Sequence, residues 1–117
     1  MDNRETALLI AKILDSKKAL DVTIIDLAEA SGFADYFVIA SAGNIRLLSA
    51  LADEVEDKLA EKEIFINHKE GENSSGWILL DYGDIIVNLF TEEQRQRYNI
   101  EKIWGDCIRV DFEPEEN

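Results

Sequence analysis

Residues 77–90 constrain the fold more tightly than any other part of the chain. Two apolar runs, Trp77-Ile78-Leu79-Leu80 and Ile85-Ile86-Val87-Asn88-Leu89-Phe90, flank Asp81-Tyr82-Gly83-Asp84. Gly83 can supply a positive φ at little cost, so the segment predicts a β-hairpin. Side chains alternate across a strand. Trp77, Leu79 and Asp81 therefore share one face, and Ile78, Leu80 and Tyr82 share the other. On the return strand Ile85, Val87 and Leu89 point one way, and Ile86, Asn88 and Phe90 the opposite way. A hairpin apolar on both sides needs cover on both sides.

The remaining elements follow from periodicity and caps. Asp2 or Asn3 can cap a helix running to about Lys17, with Ala7, Ile10, Ala11 and Leu14 as its buried stripe. Residues 22–26 form a short β-branched strand, and residues 28–34, with Ser31-Gly32, read as a loop. Residues 36–40 are almost wholly apolar, as in a central strand. Asn44 caps a long helix to about Glu63, whose stripe is Leu48, Leu51, Ala52, Val55 and Leu59. Residues 64–67 read as a strand and 69–75 as a polar loop. Thr91-Glu92-Glu93-Gln94 fits a capping box, with Gln94 reaching back, so a short helix carries Arg95 and Arg97. Tyr98, Ile100, Ile103 and Trp104 supply apolar anchors after it.

This order predicts an α/β (α+β) fold, one mixed sheet of about five strands with packed helices. Two long helices can cover one face of such a sheet but hardly both. The exposed apolar face then calls for a second copy or another protein. Residues 106–117 form an acidic tail, expected to be mobile, although Ile108, Val110 and Phe112 alternate as in an edge strand.

Charge narrows the partners. Lys plus Arg total 12 and Asp plus Glu 25, a net charge of −13. Such a surface repels phosphate backbones and anionic membranes and favours a basic partner. With no apolar run near the roughly 18 residues of a membrane span and no signal-like start, a cytoplasmic protein is expected.

The chemistry-bearing residues are sparse. Cys107 and His68 are the only cysteine and histidine, so a Cys-based zinc site is excluded and no metal site is expected. His68 lies in a polar stretch and reads as a surface residue; Cys107 lies near acidic residues that blunt a thiol. Asp81 and Asp84 bracket the hairpin turn, where Asp is common because its side chain bonds nearby amides; a metal site there would need a third oxygen ligand. Ser41-Ala42-Gly43-Asn44 joins a strand to a helix start and can be read as a phosphate cradle or simply as a cap. Trp77 opens its strand directly after Gly76, where a large ring is poised between core and interface.

Several separated motifs occur in one order: Asp35-Tyr36-Phe37-Val38-Ile39-Ala40-Ser41, Glu70-Gly71, Trp77-Ile78-Leu79-Leu80-Asp81-Tyr82-Gly83-Asp84, Arg97-Tyr98, and Glu101-Lys102-Ile103-Trp104-Gly105. In these the chain resembles the ribosomal silencing factor family (RsfS, also called Iojap), with residues 1–105 as the matching domain. The resemblance implies a nucleotidyltransferase-like fold without the usual catalytic carboxylates, and no cofactor. It implies binding to the large ribosomal subunit through the universal large-subunit protein numbered fourteen, which blocks small-subunit joining and dampens translation in scarcity. It also implies a homodimer, and it places Trp77, Leu79, Tyr82, Arg97 and Tyr98 on the binding surface. Two positions depart from the family pattern. Asn88 stands where a histidine is usual, so a proton-transfer role is excluded there, and Asn44-Ile45-Arg46-Leu47 replaces a more polar helix start.

The expected function is therefore a non-enzymatic, steric block of subunit joining. The alternatives are a minimal nucleotidyltransferase-like nucleotide-binding enzyme using the Gly43 turn, and a bare dimerisation module.

Overall fold

The computed structural model describes residues 2–29, 32, 34–71, 75–105 and 107–112. The order is α1 (Asn3–Ser16), β1 (Leu20–Asp26), β2 (Tyr36–Ala42), α2 (Ile45–Ala60), β3 (His68–Glu70), β4 (Trp77–Asp81), β5 (Ile85–Thr91), α3 (Glu92–Tyr98), α4 (Ile100–Ile103) and β6 (Ile108–Val110). The strands form one mixed sheet of six, in the order β3-β4-β5-β2-β1-β6. Only the central pair, β2 and β5, is parallel. These two strands are buried almost end to end, as their unbroken apolar runs require.

The helix starts are fixed by side-chain caps. Asp2 accepts a hydrogen bond from the Glu5 amide at 2.7 Å, and Asn44 accepts one from the Leu47 amide at 2.8 Å. α1 and α2 lie on one face of the sheet. Ile10, Leu14, Leu48, Leu51, Val55 and Leu59 meet Ile24, Val38, Ala40, Leu80, Val87 and Leu89 there. The opposite face is built on Ile25, Phe37, Ile39, Ile86 and Phe90. It has no long helix. Trp77, Leu79, Ile100, Trp104 and Cys107 cover it in part.

The expected hairpin is present, and its register sets Trp77 opposite Phe90, Leu79 opposite Asn88 and Asp81 opposite Ile86. Gly83 turns the chain at φ +88°. The tip is tied to α1 by Asn3, whose side-chain amide donates to Asp35 Oδ2 at 3.0 Å and to Asp84 Oδ2 at 3.1 Å.

Four expectations need correction. The sheet has six strands rather than about five, because Ile108–Val110 of the acidic tail pairs with β1. The strand expected at 64–67 lies instead at His68–Glu70, taking part of the expected loop at 69–75. Ile64 and Ile66 pack on the core as irregular chain, and pairing to β4, not local hydrophobicity, selects the polar segment after them. α2 stops at Ala60 rather than about Glu63, since Glu63 takes φ +61°, which no α-helix accommodates. Thr91 caps α3 through the Gln94 amide at 3.4 Å, but Gln94 does not reach back; its buried Oε1 has no partner among the described residues. The expectations for Ser31 and for residues 113–117 of the tail lie outside the described residues.

Candidate functional site

On the helix-poor face, the N-terminal end of β4 meets the C-terminal end of β5. The cross-strand pair Trp77–Phe90 brings the two rings into a stack, 5.3 Å between centroids and 21° between planes. Tyr98, the last residue of α3, adds a third ring, 4.8 Å from Trp77 and 6.0 Å from Phe90. Phe90 is fully buried, Trp77 and Leu79 are half-buried, and Tyr98 is 49% exposed. The three rings thus run from the core to the surface. Offset and tilted stacks of this kind are favourable beyond the area they bury.

The half-buried indole keeps its polar atom satisfied. Trp77 Nε1 donates to Asn88 Oδ1 at 3.1 Å. Asn88 lies two residues from Phe90 on the same face of β5 and is only 2% exposed. Its Nδ2 is buried without a partner among the described residues.

The backbone beside Trp77 depends on Gly71. A Cβ at Gly71 would overlap the Trp77 carbonyl oxygen, and the residue sits at φ +86°. Only glycine meets both conditions, which gives the Glu70-Gly71 motif a physical basis. Glu70, Gly71, Ser75, Trp77 and Leu79 line a small hollow of about 160 Å³ beside the rings.

α3 is held in place by Arg95. Its Nε donates to Glu101 at 2.8 Å; Nη1 donates to the Asp21 carbonyl at 2.6 Å and Ser41 Oγ at 3.0 Å; Nη2 donates to Thr23 Oγ1 at 3.2 Å. A bulge in β1 between Leu20 and Thr23, with Asp21 at φ +49°, turns the Asp21 carbonyl toward the guanidinium. The Arg95 hydrogen bond, with the charges of Arg95 and Arg109, holds the Glu101 carboxyl below its usual range against the opposing effect of burial. The hollow of about 340 Å³ at this end is lined by Asp21, Glu92 and Glu101 around Arg95, each of whose three guanidinium nitrogens already donates within the chain.

The structure brings Trp77, Leu79 and Tyr98 together and leaves Arg97 exposed on α3. It separates Tyr82 from them. Tyr82 packs on the core beneath the long helices, on the opposite side of the sheet. Burial, with the charge of Glu56, pushes the Tyr82 hydroxyl up to about 12. Its alternation with Leu80 already placed it there. Phe90, Asn88 and Arg95 complete the site. Alternation put Phe90 and Asn88 on one face of β5, and the register of the hairpin makes that the face of Trp77, whereas no local signal distinguished Arg95 from Arg97.

The other chemistry-bearing residues have structural occupations. Asp81 Oδ1 accepts from the Gly83 amide at 2.7 Å, an Asx turn, and Asp84 is bonded to Asn3. His68 is exposed, 3.2 Å from Glu70. Among the described residues no group of three His, Cys, Asp or Glu is placed to hold a metal ion. The α2 N-terminus opens on a groove of about 480 Å³, but Glu92 and Glu93 line it, and carboxylates there oppose a phosphate. Among the described residues no helix is long and apolar enough to cross a membrane.

Comparison with known proteins agrees over the whole length. A family model described as "Ribosomal silencing factor during starvation" matches residues 1–117. The ribosomal silencing factor RsfS of Bacillus subtilis is 33% identical over 113 residues, spanning 97% of this chain and 96% of the relative. The RsfS of Zymomonas mobilis is 40% identical over 97 residues, spanning 83% of this chain and 73% of the relative. A crystal structure of a Chromobacterium violaceum protein superposes with a TM-score of 0.86 at 27% identity, over 100% of this chain and 91% of that one.

Proposed function

The chain belongs to the ribosomal silencing factor family, and from that premise we propose that it docks on the large ribosomal subunit through the Trp77–Leu79–Tyr98 face. The reading takes the partner to be the basic large-subunit protein numbered fourteen, and the action to be steric. A rigid domain seated there occupies space that the small subunit needs, so translation falls with occupancy and no bond is made or broken. The protein acts in the cytoplasm, and a homodimer in solution is part of the same reading.

The observation that carries the proposal is the three-ring stack that surfaces on the helix-poor face of an otherwise acidic molecule. Partly exposed Trp and Tyr side chains bury much area at small entropic cost, which is why they dominate binding hot spots. A net charge of −13 speeds encounter with a basic protein and keeps the molecule off neighbouring RNA.

Sedimentation with purified, separated ribosomal subunits tests this. The protein is expected to travel with large subunits and to inhibit their joining to small ones. Tyr98→Ala, a substitution at a half-exposed ring, and Trp77→Ala should each weaken binding, the latter by about 2 kcal/mol or more. Circular dichroism confirms that the variants fold. Indifference of the wild-type protein to large subunits removes the proposal; unchanged affinity of both folded variants moves the site elsewhere. Micromolar binding of a nucleotide with Mg²⁺ would instead favour the enzyme alternative.

A further inference from the structure

We infer that Asn88 is a positioning residue that locks the Trp77 indole flat against the sheet, so that the aromatic face is preformed before any partner arrives. The functional part of this inference rests on the docking face proposed above. The conformational part does not.

Asn88 is out of keeping with its surroundings. It lies in a row of β5 whose other members on this face are Ile86 and Phe90, with Leu79 opposite on β4 and Ile39 beside it on β2. A leucine of similar volume would fill the position with no polar atom to satisfy. Asparagine brings two groups, and the structure uses only one. Oδ1 accepts from Trp77 Nε1, while Nδ2 is buried with no acceptor among the described residues. A buried donor left unpaired destabilises a fold. The residue is therefore poorly explained by stability alone, and its one made contact points to the alternative.

The geometry shows what that contact does. Trp77 pairs directly with Phe90, and Asn88 is its diagonal neighbour on the same face. The indole thus spans from the Phe90 ring, on which it stacks, to the Asn88 amide, to which its N–H is tied. A stack alone allows the ring to slide and tip. The N–H bond at its far edge fixes the remaining rotation. Without an acceptor beneath it, the N–H of a half-buried indole is satisfied by turning that edge toward water, which lifts the ring off Phe90 and breaks the surface shared with Tyr98. A side chain ordered in advance loses less entropy on docking, so the lock raises affinity without touching the partner.

The test is a cycle of Asn88→Leu, Trp77→Phe and the double variant. Phenylalanine keeps the stack but has no N–H. Asn88→Leu should unfold at the same or a higher urea concentration than wild type, yet bind large subunits about 5–10-fold more weakly. In the Trp77→Phe background the same substitution should cause no further loss. A direct readout needs no partner. With Trp104→Phe leaving Trp77 as the single tryptophan, Asn88→Leu should diminish the near-ultraviolet indole signal and raise quenching by acrylamide. An unchanged indole signal and quenching overturn the lock itself. An equal loss of affinity in both backgrounds assigns the effect to packing and also overturns it, as does failure of Asn88→Leu to fold. If wild type ignores large subunits, the docking proposal fails, and the spectroscopic arm still decides the lock.

Discussion

Replacing Arg95 by methionine removes the guanidinium while keeping much of the aliphatic volume, and the structure sets the expected cost. Arg95 is 10% and Glu101 21% exposed at their side chains, so their 2.8 Å pair lies between a surface and a buried ion pair. Exposed pairs contribute about 0–1 kcal/mol. Breaking a buried one costs about 3–5 kcal/mol. The lost bonds to Ser41, Thr23 and the Asp21 carbonyl push toward the upper range. Two features pull back: Asp21 is exposed, so its carbonyl can take water, and Arg109 Nη1 remains 3.6 Å from Glu101. A loss of about 3 kcal/mol follows, which for a domain of this size lowers Tm by about 10 °C. Urea unfolding followed by circular dichroism and tryptophan fluorescence measures it. Arg95→Lys should recover only part, since an ammonium cannot bridge Glu101, Asp21 and Thr23 together. The sign of the pH dependence is fixed as well. The Glu101 carboxyl titrates below its usual range in the fold, so its contribution is fully present above the unfolded-state value of about 4.3 and is lost as pH falls through the folded-state value. Wild type should therefore lose more stability than Glu101→Gln as the pH is lowered from neutrality to below 4. A cost for Arg95→Met under about 0.5 kcal/mol, or no coupling between Arg95→Met and Glu101→Gln in a double-mutant cycle, refutes the reasoning.

Three further outcomes are expected. Tyr82 should ionise only at about pH 12 in an absorbance titration; stability that depends on its neutral form is present below about pH 10 and is lost as pH rises through the folded-state value. Because its hydroxyl is buried without a partner among the described residues, Tyr82→Phe should be neutral or stabilising by up to about 1 kcal/mol in urea unfolding, and a clear destabilisation contradicts the placement. Gly71→Ala should cost about 2 kcal/mol or more, from the left-handed backbone and the overlap with the Trp77 carbonyl, and should also disturb the indole spectrum; a loss below about 0.5 kcal/mol shows that the loop can move aside.

Much of the scaffold was legible because local signals and tertiary structure agreed. The hairpin, the Asn44 cap and the apolar stripe of α2 all follow from period and turn chemistry. The errors arise where a neighbour outweighs the local pattern. His68–Glu70 is exposed at all three positions and has no alternation, and it is a strand because β4 offers an unpaired edge. Ile64 and Ile66 look like a strand but bury themselves without one. The expectation of an uncovered apolar face also needed refinement, since Ile100 and Trp104 cover part of it and leave the Trp77–Tyr98 rim open. For the site, hairpin alternation already grouped Trp77 with Leu79 and set Tyr82 apart from them. Arg95 was invisible because its partners on β1 and β2 lie more than fifty positions away.

The two faces of the sheet differ in what they carry. The long helices close one face with aliphatic packing that needs no polar atoms, so stability is secured away from the site. The other face is then free to carry features that a purely structural core would avoid: a half-exposed indole, an exposed tyrosine and a buried amide whose N–H groups find no partner among the described residues. Arg95 couples the two demands, because the helix it ties to β1 and β2 is the helix that presents Tyr98. On the docking reading proposed above, the effect follows the time spent bound, and that time is set by contact, not by long-range charge. The charge of −13 acts on the approach and fades within about 8 Å at physiological salt. The rings act only at contact, where their order in the free protein decides how much of their buried area appears as affinity. On that reading the acidic exterior and the aromatic rim are complementary, the first governing how often the domain arrives and the second how long it stays.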